Sequence, residues 1–323
     1  MTHVLITGAN GFIGSHLVDS QLAQGKRVRA VDLYDDYLAT LAGTPGLEVT
    51  VADFTRPEIA RQAVEGIDVV YHLASAHLDV SLPAERYHAV NVQGALELAR
   101  VAHQAGVKRF IHCSSVGVFG NVRKPPADES SPCYPGNIYE RTKHAGEQAV
   151  LAFHRESRFS LIVVRPAWVY GPRCPRTRKL MRTIAKGRFV YFGSGDNLRH
   201  PVYVSDLVGG LERCEAAPER AAGEVYILAG ERPVTTKELA AEIAGVLGVN
   251  PPKLHLPLWA GSLAGTMVES LFRLAGRKPP FSSRTVEFFR NDNAFSIRKA
   301  AEQLGFEPRM SLRDGLAMSR QSI

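Results

Sequence analysis

With 323 residues, 45% of them hydrophobic, the chain is long enough for one large α/β domain with a smaller subdomain and too long for a single minimal core. A net charge of +7 and a pI near 9.3 raise the question of nucleic acid. The basic residues are not interleaved with aromatics and no recognition motif is present, so no nucleic-acid partner is expected. The four cysteines, Cys113, Cys133, Cys174 and Cys214, have neither CxxC nor metal-ligand spacing; reduced thiols of a cytoplasmic protein, and no metal, are expected. The first apolar run starts too near Met1 for a signal peptide, and no apolar run approaches the roughly 18 residues of a membrane span.

Val4-Leu5-Ile6 reads as a strand, and Phe12, Ile13, Leu17, Val18 and Leu22 recur at helical spacing after it. Between them lies Thr7-Gly8-Ala9-Asn10-Gly11-Phe12-Ile13-Gly14. A strand, a glycine-rich turn and a helix, in that order, are what a dinucleotide site needs. Gly8 would allow a sharp turn, Gly11 the approach of backbone N–H groups to a pyrophosphate, and Gly14 close packing of the helix. The pyrophosphate would sit on the helix N-terminus, where unpaired donors and the dipole favour an anion. A second run, Val28 to Val31, ends in Asp32, about twenty residues past the last glycine. Its carboxylate would accept hydrogen bonds from the adenosine ribose hydroxyls.

Strand and helix then alternate. Leu47 to Val51 leads to Asp53, Ile67 to His72 to Leu73-Ala74-Ser75, and Arg109 to Cys113 to Ser114-Ser115. The pattern predicts a doubly wound parallel sheet of Rossmann type, covered on both faces, with ligands beyond the carboxyl ends of its strands. Helices are expected over Ala84 to Ala105, with Asn91 inside, and over Ile138 to Glu156, and a strand over Leu161 to Arg165 that stops at Pro166. A second, mainly helical region begins at Gly171-Pro172; Pro201 to Leu211 and Glu224 to Leu228 look like a return to the sheet. The division expected is therefore 1–170 with 201–228 for the cofactor, and 171–200 with 229–323 for the substrate. Thr235 to Glu238 has capping-box spacing, and helices follow over Leu258 to Ala275, Phe281 to Arg290 and Ser296 to Leu304, the last ended by Gly305. The cluster Arg173, Arg176, Arg178, Lys179, Arg182, Lys186 and Arg188 is either a solvated helix face or a surface that steers an anionic substrate.

Tyr139 and Lys143 stand four residues apart and share a helix face. A cation beside the phenol favours tyrosinate, so the pair is expected to move a proton at a carbinol oxygen. Together with the glycine turn, Asp32 and Asp53, further motifs complete a pattern. They are Asn91-Val92-x-Gly94, Ser115-x-x-Val118-Phe119-Gly120, Tyr139-x-x-x-Lys143, Arg165-Pro166-x-x-Val169-Tyr170-Gly171-Pro172 and Val202-Tyr203-Val204-Ser205-Asp206. The whole resembles the extended short-chain dehydrogenase/reductases, the superfamily of nucleotide-sugar epimerases, dehydratases and 3β-hydroxysteroid dehydrogenases, over nearly the full chain.

The resemblance implies NAD as cofactor, Tyr139 as acid/base, Lys143 on the nicotinamide ribose, and Ser115 hydrogen-bonding the reacting oxygen. It implies cofactor contacts from Gly8, Asn10, Gly11, Phe12, Ile13, Gly14, Asp32, Asp53, Phe54, Leu73, Ala74, Ser75, Asn91, Tyr139, Lys143, Pro166 and Val169, and substrate contacts from Ser115, Tyr139 and Arg199. Adjacent residues leaving a strand face opposite ways, so Ser114 is expected on the packing or cofactor side. His77 falls where some epimerases carry a lysine; its role stays open between that and an ordinary loop histidine. Val116 and Gly117 stand where 4,6-dehydratases carry Asp-Glu, so elimination of water is not expected. Arg199 matches an arginine that binds a nucleotide-sugar pyrophosphate. The Arg-Pro-Gly-Asp motif for a second arginine is missing, and Lys278-Pro279-Pro280-Phe281 after the apolar helix is more like hydroxysteroid-type members. Two functions remain, a nucleotide-sugar epimerase and a net dehydrogenase or ketoreductase on a more apolar alcohol, with a non-catalytic NAD-binding protein as a third. A homodimer is expected from the resemblance.

Overall fold

The computed structural model describes residues 1–77, 82–263, 265 and 288–320. Seven strands form the central sheet: β1 (His3–Thr7), β2 (Arg27–Asp32), β3 (Leu47–Val51), β4 (Val69–His72), β5 (Arg109–Cys113), β6 (Leu161–Pro166) and β7 (Val225–Leu228). Their order is β3-β2-β1-β4-β5-β6-β7 and every pairing is parallel. Parallel neighbours require crossovers, and the helices that supply them cover both faces. That is why β1, β4, β5 and β6 are buried along their whole length.

The alternation of β1 divides the core. Val4 and Ile6 face Leu17 and Val18 of α1 (Phe12–Ala23) and Leu207 and Leu211 of α7 (Val204–Glu215), while Leu5 faces the opposite layer with Val64, Leu98, Ala102 and Phe110. That second layer includes α2 (Pro57–Val64), α3 (Ala84–His88), α4 (Ala95–Gln104) and α5 (Ile138–Ser157). A third core gathers Met181 and Ile184 of α6 (Pro175–Ala185), Leu239 and Ile243 of α8 (Thr236–Leu247), and Leu316 of α10 (Leu312–Arg320) around Tyr170, Tyr191 and Tyr203. It lies beyond the carboxyl ends of the strands and closes the cleft there.

Three sequence expectations change. The helix expected over Ala84 to Ala105 is interrupted by a π-helical turn, Ala89–Gly94, between α3 and α4. Pro201–Tyr203 pairs with Trp168–Tyr170 in a separate two-stranded sheet, and residues 204–215 are α7, so only Val225–Leu228 returns to the main sheet. The strand expected from Ile67 begins at Val69. The caps follow the sequence more closely: Thr235 Oγ1 accepts from Glu238 N at 3.0 Å, and Gly305, at φ 63°, ends α9 (Arg298–Leu304). Residues 264 and 266–287, on which most of the expected helices Leu258 to Ala275 and Phe281 to Arg290 and the stretch Lys278 to Phe281 fall, lie outside the described residues.

Candidate active site

Strand order reverses between β1 and β4, and a cleft of about 1350 Å³ opens there. A single small ligand fills roughly 300–1,000 Å³, so the cleft has room for a cofactor and a substrate side by side. The glycine turn forms one end. Gly8 has φ +72°, and a Cβ there would stand 2.6 Å from Ala74 N; at Gly14 a Cβ would stand 2.1 Å from Gly8 O. Both contacts are with backbone, which cannot yield, so the turn admits only glycine at these two positions. Gly11 is the N-cap of α1 and no side chain caps it, which leaves the first-turn N–H groups directed at the cleft. A cradle without side chains at an uncapped helix N-terminus fits a pyrophosphate.

Asp32 ends β2 in the cleft wall, its Oδ2 accepting from Asn10 N at 2.9 Å and its Oδ1 from Leu33 N at 2.7 Å. Burial pushes its carboxyl up, and backbone hydrogen bonds oppose that. The Asn10 side chain is occupied elsewhere, its Oδ1 accepting from Tyr37 N at 2.9 Å. Asp53 accepts from Thr55 and from Arg86 Nη2 at 2.6 Å; burial would raise its carboxyl, but these donors hold it below the usual range. Phe12, Ile13, Phe54, Leu73, Ala74, Ser75, Pro166 and Val169 also line the cleft.

Asn91 does not line the cleft. It is 2% exposed on the π turn, accepts from Ala76 N at 2.9 Å and Ser75 Oγ at 3.0 Å, and donates to Thr142 Oγ1 at 3.0 Å. It therefore ties the loop after β4 to α5. The π turn supplies the geometry, since the extra residue per turn rotates Asn91 inward.

Asn137 starts α5 with a capping box: its side chain accepts from Glu140 N, and Glu140 reaches back to Asn137 N. Tyr139, Lys143 and Glu147 then fall on one face. Lys143 is 2% exposed and donates from Nζ to Cys113 O at 2.5 Å, and burial lowers its pKa. Glu147 is fully buried against Arg165, with oxygens at 3.0 and 2.5 Å. Ser115 leaves β5 extended and accepts from Gly117 N at 3.0 Å. Both Ser114 and Ser115 line the cleft, but Ser115 touches the Tyr139 phenol, whereas the Ser114 hydroxyl is buried with no hydrogen-bond partner among the described residues.

Burial pushes Tyr139 up to about 12, with a contact from Ser115 and the charge of Arg176 working the other way. The Lys143 ammonium donates to the Cys113 carbonyl. Behind this carbonyl, His72 and His112 stack at 5.5 Å, and His72 meets Thr7 Oγ1 through Nδ1 at 2.7 Å. Burial and then the Lys143 charge hold His72 down at about 3, so this pair is neutral.

The far end of the cleft is formed by Arg199, 6% exposed. Its guanidinium lies over the Phe288 ring at 4.2 Å, and Nη1 meets Asn293, whose amide oxygen is assigned to face it on hydrogen-bonding grounds. Nε and Nη2 have no partner among the described residues. Burial lowers the group to about 10, with the charge of Asp292 opposing. The basic cluster splits: Arg176, Lys179 and Arg188 line the cleft, while Arg173 pairs with Asp19 at 2.8 Å and covers Tyr37. His77, whose role the sequence left open, sits against Tyr139. Sequence reasoning missed the aromatic wall of Phe189, Phe192, Phe288 and Phe289, for which the signal was the Phe pairs at 189/192 and 288/289.

Fold and cleft together define a dinucleotide-binding α/β enzyme. The chain belongs to the NAD dependent epimerase/dehydratase family, whose model matches residues 4–229; NAD is its cofactor and its chemistry is of the oxidoreductase type. It is 29% identical to N-acetyl-alpha-D-glucosaminyl-diphospho-ditrans,octacis-undecaprenol 4-epimerase of Escherichia coli O157:H7, over 99% of this chain and 94% of that one. It is 31% identical to 3 beta-hydroxysteroid dehydrogenase/Delta 5-->4-isomerase of Mycobacterium tuberculosis, over 97% and 88%. Among solved structures, MoeE5 in complex with UDP-glucuronic acid and NAD superposes with a TM-score of 0.78 at 27% identity, covering 99% of this chain and all of that one. No helix among the described residues is long and apolar enough to cross a membrane.

Proposed function

We propose that the protein is an NAD-dependent nucleotide-sugar epimerase working as a cytoplasmic homodimer, with residues 171–200 and 229–323 as the substrate region. The observation that carries this reading is Arg199. A guanidinium with two unpaired nitrogens in a buried wall is costly unless an anion meets it, and a diphosphate offers oxygens for bidentate hydrogen bonds. The cleft-lining Arg176, Lys179 and Arg188 add a field that favours anionic substrates. One relative is named for a diphospho-linked sugar and one neighbour is bound to UDP-glucuronic acid, which supports a diphospho-sugar substrate; the hydroxysteroid dehydrogenase relative supports the second reading below.

In this reading the glycine turn and the N-terminus of α1 hold the cofactor pyrophosphate, Asp32 its adenosine ribose, and Asp53 and Phe54 the adenine side. Lys143 holds the nicotinamide ribose. NAD, when bound, would supply a hydride acceptor for the carbinol carbon, and return of that hydride to the same substrate would leave no net oxidation. Tyr139 takes the hydroxyl proton through its phenolate form and gives it back, and Ser115 hydrogen-bonds the reacting oxygen. Val116 and Gly117 offer no carboxyl that would eliminate water.

The test is a panel of nucleoside-diphosphate sugars, followed by product identity and NADH absorbance. Arg199→Ala is expected to raise KM at least tenfold with a smaller change in kcat, because that contact exists in ground and transition state alike. The aromatic wall favours a second reading, net dehydrogenation of an apolar alcohol. Steady NADH from a hydroxysteroid, unaffected by Arg199→Ala and without binding of any nucleotide sugar, would establish it instead.

A further inference from the structure

His77 stands two residues past Ser75 in the loop after β4 and sets its ring edge-on against Tyr139, with centroids 4.6 Å apart and planes at 72°. From the opposite side of the cleft, Arg176 in the first turn of α6 donates from Nη2 to His77 Nε2 at 3.0 Å. All three side chains line the cleft. We propose that His77 and Arg176 form a clamp across the cleft that positions the Tyr139 phenol and supplies a second cation, besides Lys143, to its site. The inference rests on the reading of Tyr139 as the proton-transfer group; His77 and Arg176 are positioning residues.

The chemistry follows from which atom donates. An imidazole that accepts at Nε2 carries its one proton on Nδ1 and is neutral, so it can bridge a guanidinium to a phenol without adding charge. An edge-on ring limits the swing of the phenol, and the bridge holds the Arg176 charge near it. The charged and titratable groups around Tyr139 come from several elements: Lys143 and Glu140 on α5, Cys113 at the end of β5, His77 and Arg176, with the Ser115 hydroxyl in contact. Burial, Cys113 and Glu140 disfavour the phenolate, while Ser115 and Arg176 favour it. Lys143 donates to Cys113 O on one side of the site, and Arg176 brings a second cation toward the phenol from α6. Arg176 is exposed, so its effect is subject to screening by salt.

The experiment is an ultraviolet pH titration of tyrosinate absorbance in the NAD complex. Tyr139 is isolated as wild type minus Tyr139→Phe, and the acid limb of turnover is measured alongside. Removing a nearby cation disfavours the anion, so Arg176→Ala should raise the Tyr139 midpoint by about half to one pH unit. His77→Phe, which keeps the ring and loses the acceptor, should do the same, and Arg176→Lys should recover part of the shift. Added salt should move the wild type toward Arg176→Ala and leave that variant where it is. Unchanged midpoints and pH profiles in Arg176→Ala and His77→Phe, with Tyr139→Phe inactive, would overturn the clamp alone. Turnover surviving in Tyr139→Phe would instead remove the reading beneath it.

Discussion

Asp32 is the residue we propose decides cofactor choice. Its carboxylate is held at the end of β2 by the Asn10 and Leu33 amides, which point it into the cleft. A 2′-phosphate arriving there would meet a fixed negative charge with no salt bridge to it among the described residues, whereas ribose hydroxyls would donate to it. Asp32→Asn should therefore narrow the preference for NAD over NADP by ~10-fold or more, about 1.4 kcal/mol, measured as the ratio of dissociation constants. An unchanged ratio would move the discrimination elsewhere in the loop. Asp32, Ser115, Tyr139 and Lys143 were legible as single residues because each belongs to a short-range pattern: a strand end, a strand end followed by a turn, and a four-residue step on one helix face. His77 was not, since nothing within its own stretch indicates that Tyr139 will lie under it.

Between elements, the closest approach that positions the active helix is α5 against the π turn. Gly146 lies one turn past Thr142, and a Cβ there would stand 2.0 Å from Asn91 O, a backbone atom. The turn brings Asn91 to the same interface, so the bracing of the loop after β4 depends on that approach. Gly146→Ala should cost about 1–3 kcal/mol in chemical denaturation and weaken NAD binding, because the overlap must push α5 and Lys143 outward. Gly245 in α8 has open space around its missing Cβ and an ordinary helical φ. Gly245→Ala should raise stability by about 0.5–1 kcal/mol in the same assay. Equal effects at the two sites would show that helix propensity rather than contact governs both. The helix over 84–104 was legible from its periodicity, but not its π turn, because the bulge is selected by what packs behind it.

For the whole molecule, the expectation open to the simplest measurement is assembly. A homodimer should give twice the 35.3 kDa chain mass in light scattering at micromolar concentration; a chain-mass particle would end that proposal. Fold class was determined by the sequence itself, as were the expected cofactor end of the cleft and the proposed catalytic residues Ser115, Tyr139 and Lys143. They rest on interactions of short range along the chain: glycines that a Cβ would block, an apolar period that changes between strand and helix, and a side-chain step of one helical turn. The tertiary structure alone decided the rest. It set Lys143 against the Cys113 carbonyl and packed the half-buried Tyr139 against the second core layer. It left Arg199 with unpaired nitrogens over Phe288, and it brought Arg176 from α6 to His77 across 99 residues of chain. Burial and meetings between distant segments depend on how the lobes pack, and no local pattern encodes that.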